Sequence, residues 1–389
     1  MAEFACAPIA LMGPGSLAEL PRKLARLGVQ RALVVTDAGL VACGVVARVT
    51  EALEGSGIAA PVYADVTPNP TIEEVEAGAA AYRSQSCDAL VAVGGGSAND
   101  CAKAIRARLA GMGQLNDPAV PKQMPARGPV LVAVNTTAGT GSEVSRAYLV
   151  TDTAARRKLI FKDDFAMPDV AVDDCDLMMG LPPALTAWTG MDALTHAIEA
   201  YVSSRHFLMT DVLALDAIRL IARYLPATVH DGGNVEARDA MATAQYLAGM
   251  SFGSAGLGLV HAMAHQFGAL YDAPHGLANA IILPEVMAFY LDTCPERLAD
   301  IACALDPSLT GVPVGEAAQA AVERVREMLV DLSVDAGRIT SAYQEADLPR
   351  LTAQALEDGC IATSPKLPNA AEVEELFKQT MARAQAPAA

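Results

Sequence analysis

Histidine is scarce in this 389-residue chain, six in all, yet three lie between positions 261 and 275. They are His261 and His265, in His261-Ala262-Met263-Ala264-His265, and His275 just ahead of Gly276. A fourth, His196, stands four residues after Asp192 in Gly190-Met191-Asp192-Ala193-Leu194-Thr195-His196. Residues four apart on a helix share a face, so Asp192 and His196 can aim at one point, and so can His261 and His265. His275 can add a nitrogen from a turn. Imidazole and carboxylate are the groups that hold a catalytic divalent cation. A lone helical histidine is usually a hydrogen-bonded core residue; four of them grouped with an aspartate point to a metal centre.

A second set of residues suits a phosphorylated ligand. Gly94-Gly95-Gly96-Ser97 follows the apolar run Ala89-Leu90-Val91-Ala92-Val93 and opens a helix near Ala98. Glycines there let phosphate oxygens approach the backbone, and a helix N-terminus offers unpaired N–H donors. The spelling is not GxGxxG, and Ser97 to Asp100 fits a capping box equally well. A second loop, Thr136-Thr137-Ala138-Gly139-Thr140-Gly141-Ser142, follows another apolar run. Two such loops at the carboxyl ends of parallel strands form a crevice for a nucleotide. Asp37, at the end of an earlier strand, can hold both hydroxyls of an adenosine ribose. Its charge would repel a 2′-phosphate, which favours NAD over NADP; the alternative is a plain helix N-cap.

The elements that must position these residues fall into two kinds. Runs at 31–35, 58–63, 89–93 and 129–134 read as strands, with a helix after the acidic turn Thr71-Ile72-Glu73-Glu74. Strand–helix alternation with continuous apolar strands predicts a buried parallel sheet covered by helices. After Leu181-Pro182-Pro183 long Ala/Leu/Met segments with helical spacing take over. The expected organisation is an α/β, Rossmann-like dinucleotide-binding domain over 1–180 and an all-α metal-binding domain over 181–389.

Composition narrows the functional classes. A net charge of −17 and a pI near 4.7 argue against nucleic acid and anionic membranes as partners. No apolar stretch approaches the ~18 residues of a membrane span, and the N-terminus lacks a secretory pattern, so a cytoplasmic location is expected. Eight scattered cysteines, with no CxxC pair, read as reduced residues and receive no chemistry.

Together these segments resemble the iron-containing (group III) alcohol dehydrogenases over nearly the whole chain. The most specific are Thr136 to Val144, Leu181-Pro182-Pro183-Ala184-Leu185, Gly190 to Glu199, and Gly256 through Pro274-His275-Gly276. The resemblance implies hydride transfer between a primary alcohol, short diol or aldehyde and NAD, with Fe(II), or Zn in its place, at Asp192, His196, His261 and His275. It implies dinucleotide contacts at Asp37, Gly95, Gly96, Ser97, Thr136, Thr137, Thr140 and Lys158. It places His265 beside the nicotinamide as the proton-relaying residue, Phe252 near the substrate, and the chain in a homodimer or larger homo-oligomer. The sequence departs from the family at Ala98 and Asn99, at Asn135 where the family has proline, at Trp188 where it has a small residue, and at Arg146 and Ala147. Same-scaffold alternatives are enzymes of glycerol-dehydrogenase or maleylacetate-reductase type; an alternative of another class is a non-catalytic metal-binding assembly protein. The unbroken ligand pattern favours the alcohol dehydrogenase.

Overall fold

The strands described in the first unit are short, and the most buried of them are runs rich in valine, leucine and alanine. They are β1 (Ala10–Met12), β2 (Ala32–Val35), β3 (Val62–Tyr63), β4 (Ala89–Gly94), β5 (Val130–Asn135), β6 (Ala147–Asp152), β7 (Arg157–Lys162) and β8 (Val170–Asp173). The computed structural model describes residues 3–117, 122–155 and 157–385 and divides the chain into two compact units, Ala5–Gly180 and the remainder. Six strands form one all-parallel sheet in the order β1-β8-β5-β4-β2-β3. Helices α1 (Leu20–Arg26), α2 (Ala38–Ala42), α3 (Val45–Glu54), α4 (Ile72–Ser84) and α5 (Gly96–Leu109) connect them. Each residue of β4 is buried, as a strand covered on both faces requires.

Two expectations need correction. The run 58–63 makes a ladder only over Val62–Tyr63, with an isolated bridge from Arg31 to Ala59. Pro61 lies between them and has no N–H to donate, so this strand stays short and at the sheet edge. Beyond the four expected runs, β1 and β8 extend the sheet and β6 and β7 form a separate antiparallel hairpin. Along β6 Tyr148, Val150 and Asp152 are buried while their neighbours are less so, the period of two of a half-covered strand.

The order β5-β4-β2 has a direct consequence for ligand binding. Gly94 pairs in register with Asn135, and Val35 with Ala92. The loops after β5, β4 and β2 therefore leave the sheet side by side, at the edge where α/β proteins bind ligands.

The second unit is helical, with no strand among the described residues. Its helices are α6 (Pro183–Val202), α7 (Leu208–His230), α8 (Val235–Ala255), α9 (Leu259–Tyr271), α10 (His275–Phe289), α11 (Pro295–Leu305), α12 (Val314–Asp331), α13 (Gly337–Thr340), α14 (Leu348–Glu357) and α15 (Ala370–Gln385). Helix α6 has proline in its first turn, where no intrahelical N–H partner is lost. Gly190 lets it approach α7, because a Cβ there would overlap the Leu225 side chain. The chain turns by 104° between α8 and α9. Gly256 makes that turn at φ 87, facing Thr363 where a Cβ would not fit. No single described helix is long and apolar enough to cross a membrane.

One buried ion pair locks the first unit. Arg106 of α5 is fully buried and donates to the Asp169 carboxylate at 2.9 Å and to the Met167 carbonyl at 2.9 Å. Asp169 also accepts from the Leu131 amide at 2.9 Å and pairs with Arg127. Removing the carboxylate leaves the Arg106 cation buried without its charge partner. Asp169→Ala is expected to lower stability by about 3–5 kcal/mol, read from the urea unfolding midpoint; a loss under about 1 kcal/mol would show that water takes over the pairing.

Candidate active site

Three helices of the second unit each contribute residues one turn apart. Helix α6 presents Asp192, His196 and Glu199 on one face, at i, i+4 and i+7. Helix α9 presents His261 and His265. Helix α10 opens with His275 and carries Asn279 one turn later. His275 was expected from a turn; it is the first residue of the helix, with Pro274 ahead of it.

One donor atom each from Asp192, His196, His261 and His275 lies within 4.8 Å of the other three. Asp192 Oδ1 is 3.9 Å from His196 Nε2 and 3.7 Å from His275 Nε2. Four ligands at ~2.1 Å around a tetrahedral ion stand ~3.4 Å apart, so small inward shifts complete a coordination shell. Asn279 Nδ2 occupies the same neighbourhood, 2.6 Å from Asp192 Oδ1 and 3.1 Å from Nε2 of both His261 and His275. An amide has two protons to offer three acceptors, while its own buried Oδ1 has no hydrogen-bond partner. The cluster thus holds more lone pairs than the protein has donors for, and a divalent cation fits it. The side chains of Asp192, His196 and His261 are almost wholly buried, whereas that of His275 is 38% exposed and leaves that side open.

The helices can approach closely because α10 carries a glycine beside its histidine. A Cβ on Gly276 would run into the backbone carbonyl of Trp188 and lie 3.3 Å from the Asp192 Cβ. Trp188 thus meets α10 through its main chain, and no larger residue fits at 276.

Buried Glu199 holds His261 in place. Its Oε2 lies 2.6 Å from His261 Nδ1, and its Oε1 accepts from the Val260 amide at 2.7 Å. With a proton on Nδ1, the His261 Nε2 lone pair faces the cluster, the orientation metal-binding histidines take from such a carboxylate. Burial, and then the facing rings of His196 and His265, hold the His261 imidazole well below its ordinary pKa, so it is neutral. Burial pushes Glu199 up to about 7, against the hydrogen bonds from Val260 and Gly258. Phe252 stacks on His196 at 4.4 Å between centroids.

His265 is a neighbour of this cluster outside its four donors. Its ring stacks on His275 at 5.4 Å and meets His261 edge-on at 6.0 Å. Its Nδ1 lies 2.8 Å from Asp358 Oδ2, a carboxylate that also accepts from the Cys360 amide at 2.9 Å.

In the first unit the glycine loop and the threonine loop pack on each other. Gly94 has φ 153, and a Cβ on Gly95 would lie 2.9 Å from Thr137 Oγ1. The helix starts at Gly96 with Gly95 as its cap, so the capping box from Ser97 to Asp100 is not formed. Ser97 Oγ instead accepts from the Asn69 amide at 3.4 Å, and Asp100 from Ser142 at 3.3 Å. Ser142 also takes a bond from the buried Lys103 ammonium. Lys158 donates to Asn69 Oδ1 at 2.8 Å, so Asn69, at φ 61, joins Lys158 to Ser97. Thr140 lies against Gly96, and its Oγ1 accepts from the Ser142 amide. Thr136 is bonded through its amide to Gly94 O. Asp37 caps α2 by accepting from the Leu40 amide at 3.0 Å with one carboxylate oxygen.

Three of the residues that depart from the family pattern have polar partners in the fold. Asn99 donates to the carbonyls of Gly94 and Gly95, and Asn135 spans from Asp173 to the Thr137 amide. Arg146 is paired with Asp164. Sequence reasoning passed over Glu199, Asn279, Asp358 and Asn69. Helical spacing from Asp192 and His275 would have flagged the first two; nothing local marks Asp358, 93 positions from its histidine.

A parallel sheet with phosphate-type loops, followed by a helical unit with a four-donor cation cluster, is the build of a metal-dependent dehydrogenase. Residues 7–175 match the family model described as iron-containing alcohol dehydrogenase, and residues 186–381 the C-terminal model of the Fe-containing alcohol dehydrogenase family. The chain belongs to the iron-containing alcohol dehydrogenase family and is an oxidoreductase of that kind. It is 41% identical over 381 residues to 1,3-propanediol dehydrogenase of Klebsiella pneumoniae, covering 97% of this chain and 98% of that one. It is 40% identical over 379 residues to lactaldehyde reductase of Escherichia coli K12, covering 95% and 96%. The crystal structure of a 1,3-propanediol oxidoreductase superposes with a TM-score of 0.91 at 40% identity, covering 98% of this chain and all of that one.

Glu199→Gln and Gly276→Ala test this geometry without touching any of the four donor residues. Each is expected to weaken divalent metal binding by about 10–100-fold, measured by competition with a chromogenic chelator. Unchanged affinity in both would mean that neither the Glu199 bond nor the α6–α10 approach shapes the cluster.

Proposed function

We propose that this chain is an NAD(H)-dependent alcohol dehydrogenase and aldehyde reductase for short primary alcohols, diols and hydroxyaldehydes. Asp192, His196, His261 and His275 hold Fe(II), with Zn as the competing ion, and a cytoplasmic homodimer or multiple of it is the working form. The observation that carries this reading is the convergence of three imidazoles and one carboxylate, without a thiolate, on a single point. Bound there, the cation supplies Lewis acidity to an alcohol or carbonyl oxygen, while nicotinamide gives or takes the hydride.

The chain's own residues then have distinct tasks. Glu199 and Asn279 keep the ligand atoms aimed inward. Phe252, stacked on His196, supplies an apolar wall for a small carbon chain, which the names of the relatives, acting on propanediol and lactaldehyde, also suggest. Asp358 holds a proton on His265 Nδ1, which leaves Nε2 as an acceptor for the alcohol proton. Gly95, Gly96 and Ser97 offer backbone and hydroxyl donors to the pyrophosphate, with Thr136, Thr137 and Thr140 opposite and Lys158 adding positive charge. Asp37 keeps one carboxylate oxygen beyond its cap bond for a ribose hydroxyl.

Removal of metal by chelator is expected to abolish NADH oxidation by short aldehydes, and anaerobic Fe(II) to restore it. Rates and metal content across Fe, Zn, Mn, Co and Ni decide the ion; fastest turnover with zinc would overturn iron. His261→Ala is expected to lose both metal and turnover while still binding NADH. Asp37→Gly is expected to raise kcat/KM for NADP relative to NAD by about tenfold, a change of ~1.4 kcal/mol. An unchanged ratio would leave Asp37 a cap alone.

A further inference from the structure

Beside the four-donor cluster lies a second group of ligating side chains with different chemistry. One donor atom each from His265, Asp358 and Cys360 lies within 4.8 Å of the other two. The His265 and Asp358 side chains are 12% and 7% exposed, so the group is screened from solvent but not sealed from it. Asp358 ties the group together: Oδ2 meets His265 Nδ1 at 2.8 Å, Oδ1 accepts from the Cys360 amide at 2.9 Å, and the Cys360 thiol also bonds to this carboxylate. The same carboxylate caps the 3-10 turn Gly359–Thr363, which holds residues 358 to 360 in one arrangement. The donors are therefore placed before any ion arrives.

Thiolate, imidazole and carboxylate together form a softer set than one carboxylate with three imidazoles, and a thiolate is the donor that selects zinc over hard cations. We propose that His265, Asp358 and Cys360 form a second site for a thiophilic divalent cation, zinc above all, and that filling it halts the enzyme. On binding, the Cys360 thiol loses its proton to solvent and its sulfur joins the ion. The ion replaces the hydrogen bond between His265 Nδ1 and Asp358; the Nδ1 proton leaves to solvent and Nε2 takes one up from solvent, so the imidazole stays neutral with its single proton now on Nε2. With that proton in place Nε2 no longer accepts one. The site stands on the three side chains alone; its effect on turnover rests on the role of His265 proposed above. The first cluster offers four donors against three and so fills first, and repulsion between two neighbouring dications then weakens binding at the second site.

Cobalt(II) reports the site directly, because a thiolate bound to Co(II) gives an intense near-ultraviolet charge-transfer band and the four-donor cluster contains no sulfur. The band is expected to be weak or absent with the first equivalent of Co(II) and to grow in with the second. In His261→Ala it is expected with the first equivalent. In Cys360→Ser it should be missing. No band at any Co(II) level, or a band that survives Cys360→Ser, overturns the site, whatever the enzyme's turnover. The kinetic consequence is read separately. Zinc should inhibit the Fe(II)-loaded enzyme without releasing iron, and Cys360→Ser should need about tenfold more zinc for the same fractional inhibition. Equal sensitivity of the two proteins, or inhibition that tracks iron loss, shows displacement at the first cluster and overturns the inhibitory role.

Discussion

The helical unit is organised around one electrostatic constraint, the burial of the Asp192 carboxylate among three imidazoles. A desolvated charge in an apolar core costs several kcal/mol unless it is paired. Here the pairing comes from Asn279, with too few protons for the acceptors around it, while burial holds the His261 imidazole neutral. That shortage of protons is what makes the site fit for a cation. The small residues around it follow from the same need. Gly276 lets α10 reach the α6 backbone, and Gly258 leaves room for Glu199, whose carboxylate a Cβ there would approach to 2.8 Å.

The nucleotide-type loops are built on a different principle. Their donors are largely backbone, so what matters is where the chain turns and what keeps it there. Gly95 makes room for Thr137, and Asn135 bonds the amide of that same threonine. Asn99 closes the carbonyls of the glycine turn. The unusual asparagines of this chain thus brace the two loops from beneath, a task a proline at 135 would perform by restricting φ. Asn69 adds a brace from a distant turn by linking Lys158 to Ser97.

Two clusters of unlike hardness sit next to each other in the helical unit, and His265 connects them. Its ring stacks on His275 of the four-donor cluster, while its Nδ1 belongs to Asp358. A residue that contacts both clusters transmits to one what happens at the other, without any change in the fold.

The sequence by itself determined the fold class and, by resemblance, the family. Spacing grouped Asp192 with His196 and His261 with His265, while only the resemblance set His265 apart from Asp192, His196, His261 and His275. Four-residue spacing places side chains on one helix face whatever the tertiary structure does, and continuous apolar runs become buried strands wherever helices cover them. Local reasoning failed where a second element decided the outcome. Pro61 shortened an expected strand by withholding a ladder hydrogen bond. Ser97 gave up its capping box because Gly95, pressed against Thr137, already starts the helix. Cys360 looked inert among eight scattered cysteines and acquires chemistry only when the 3-10 turn after α14 brings Asp358 to His265. Glu199 and Asn279 could be placed on their helix faces from spacing alone. Whether those faces meet the donor cluster depends on how closely α6, α9 and α10 pack, and the Gly276 contact that sets the α6–α10 distance exists only in the folded chain.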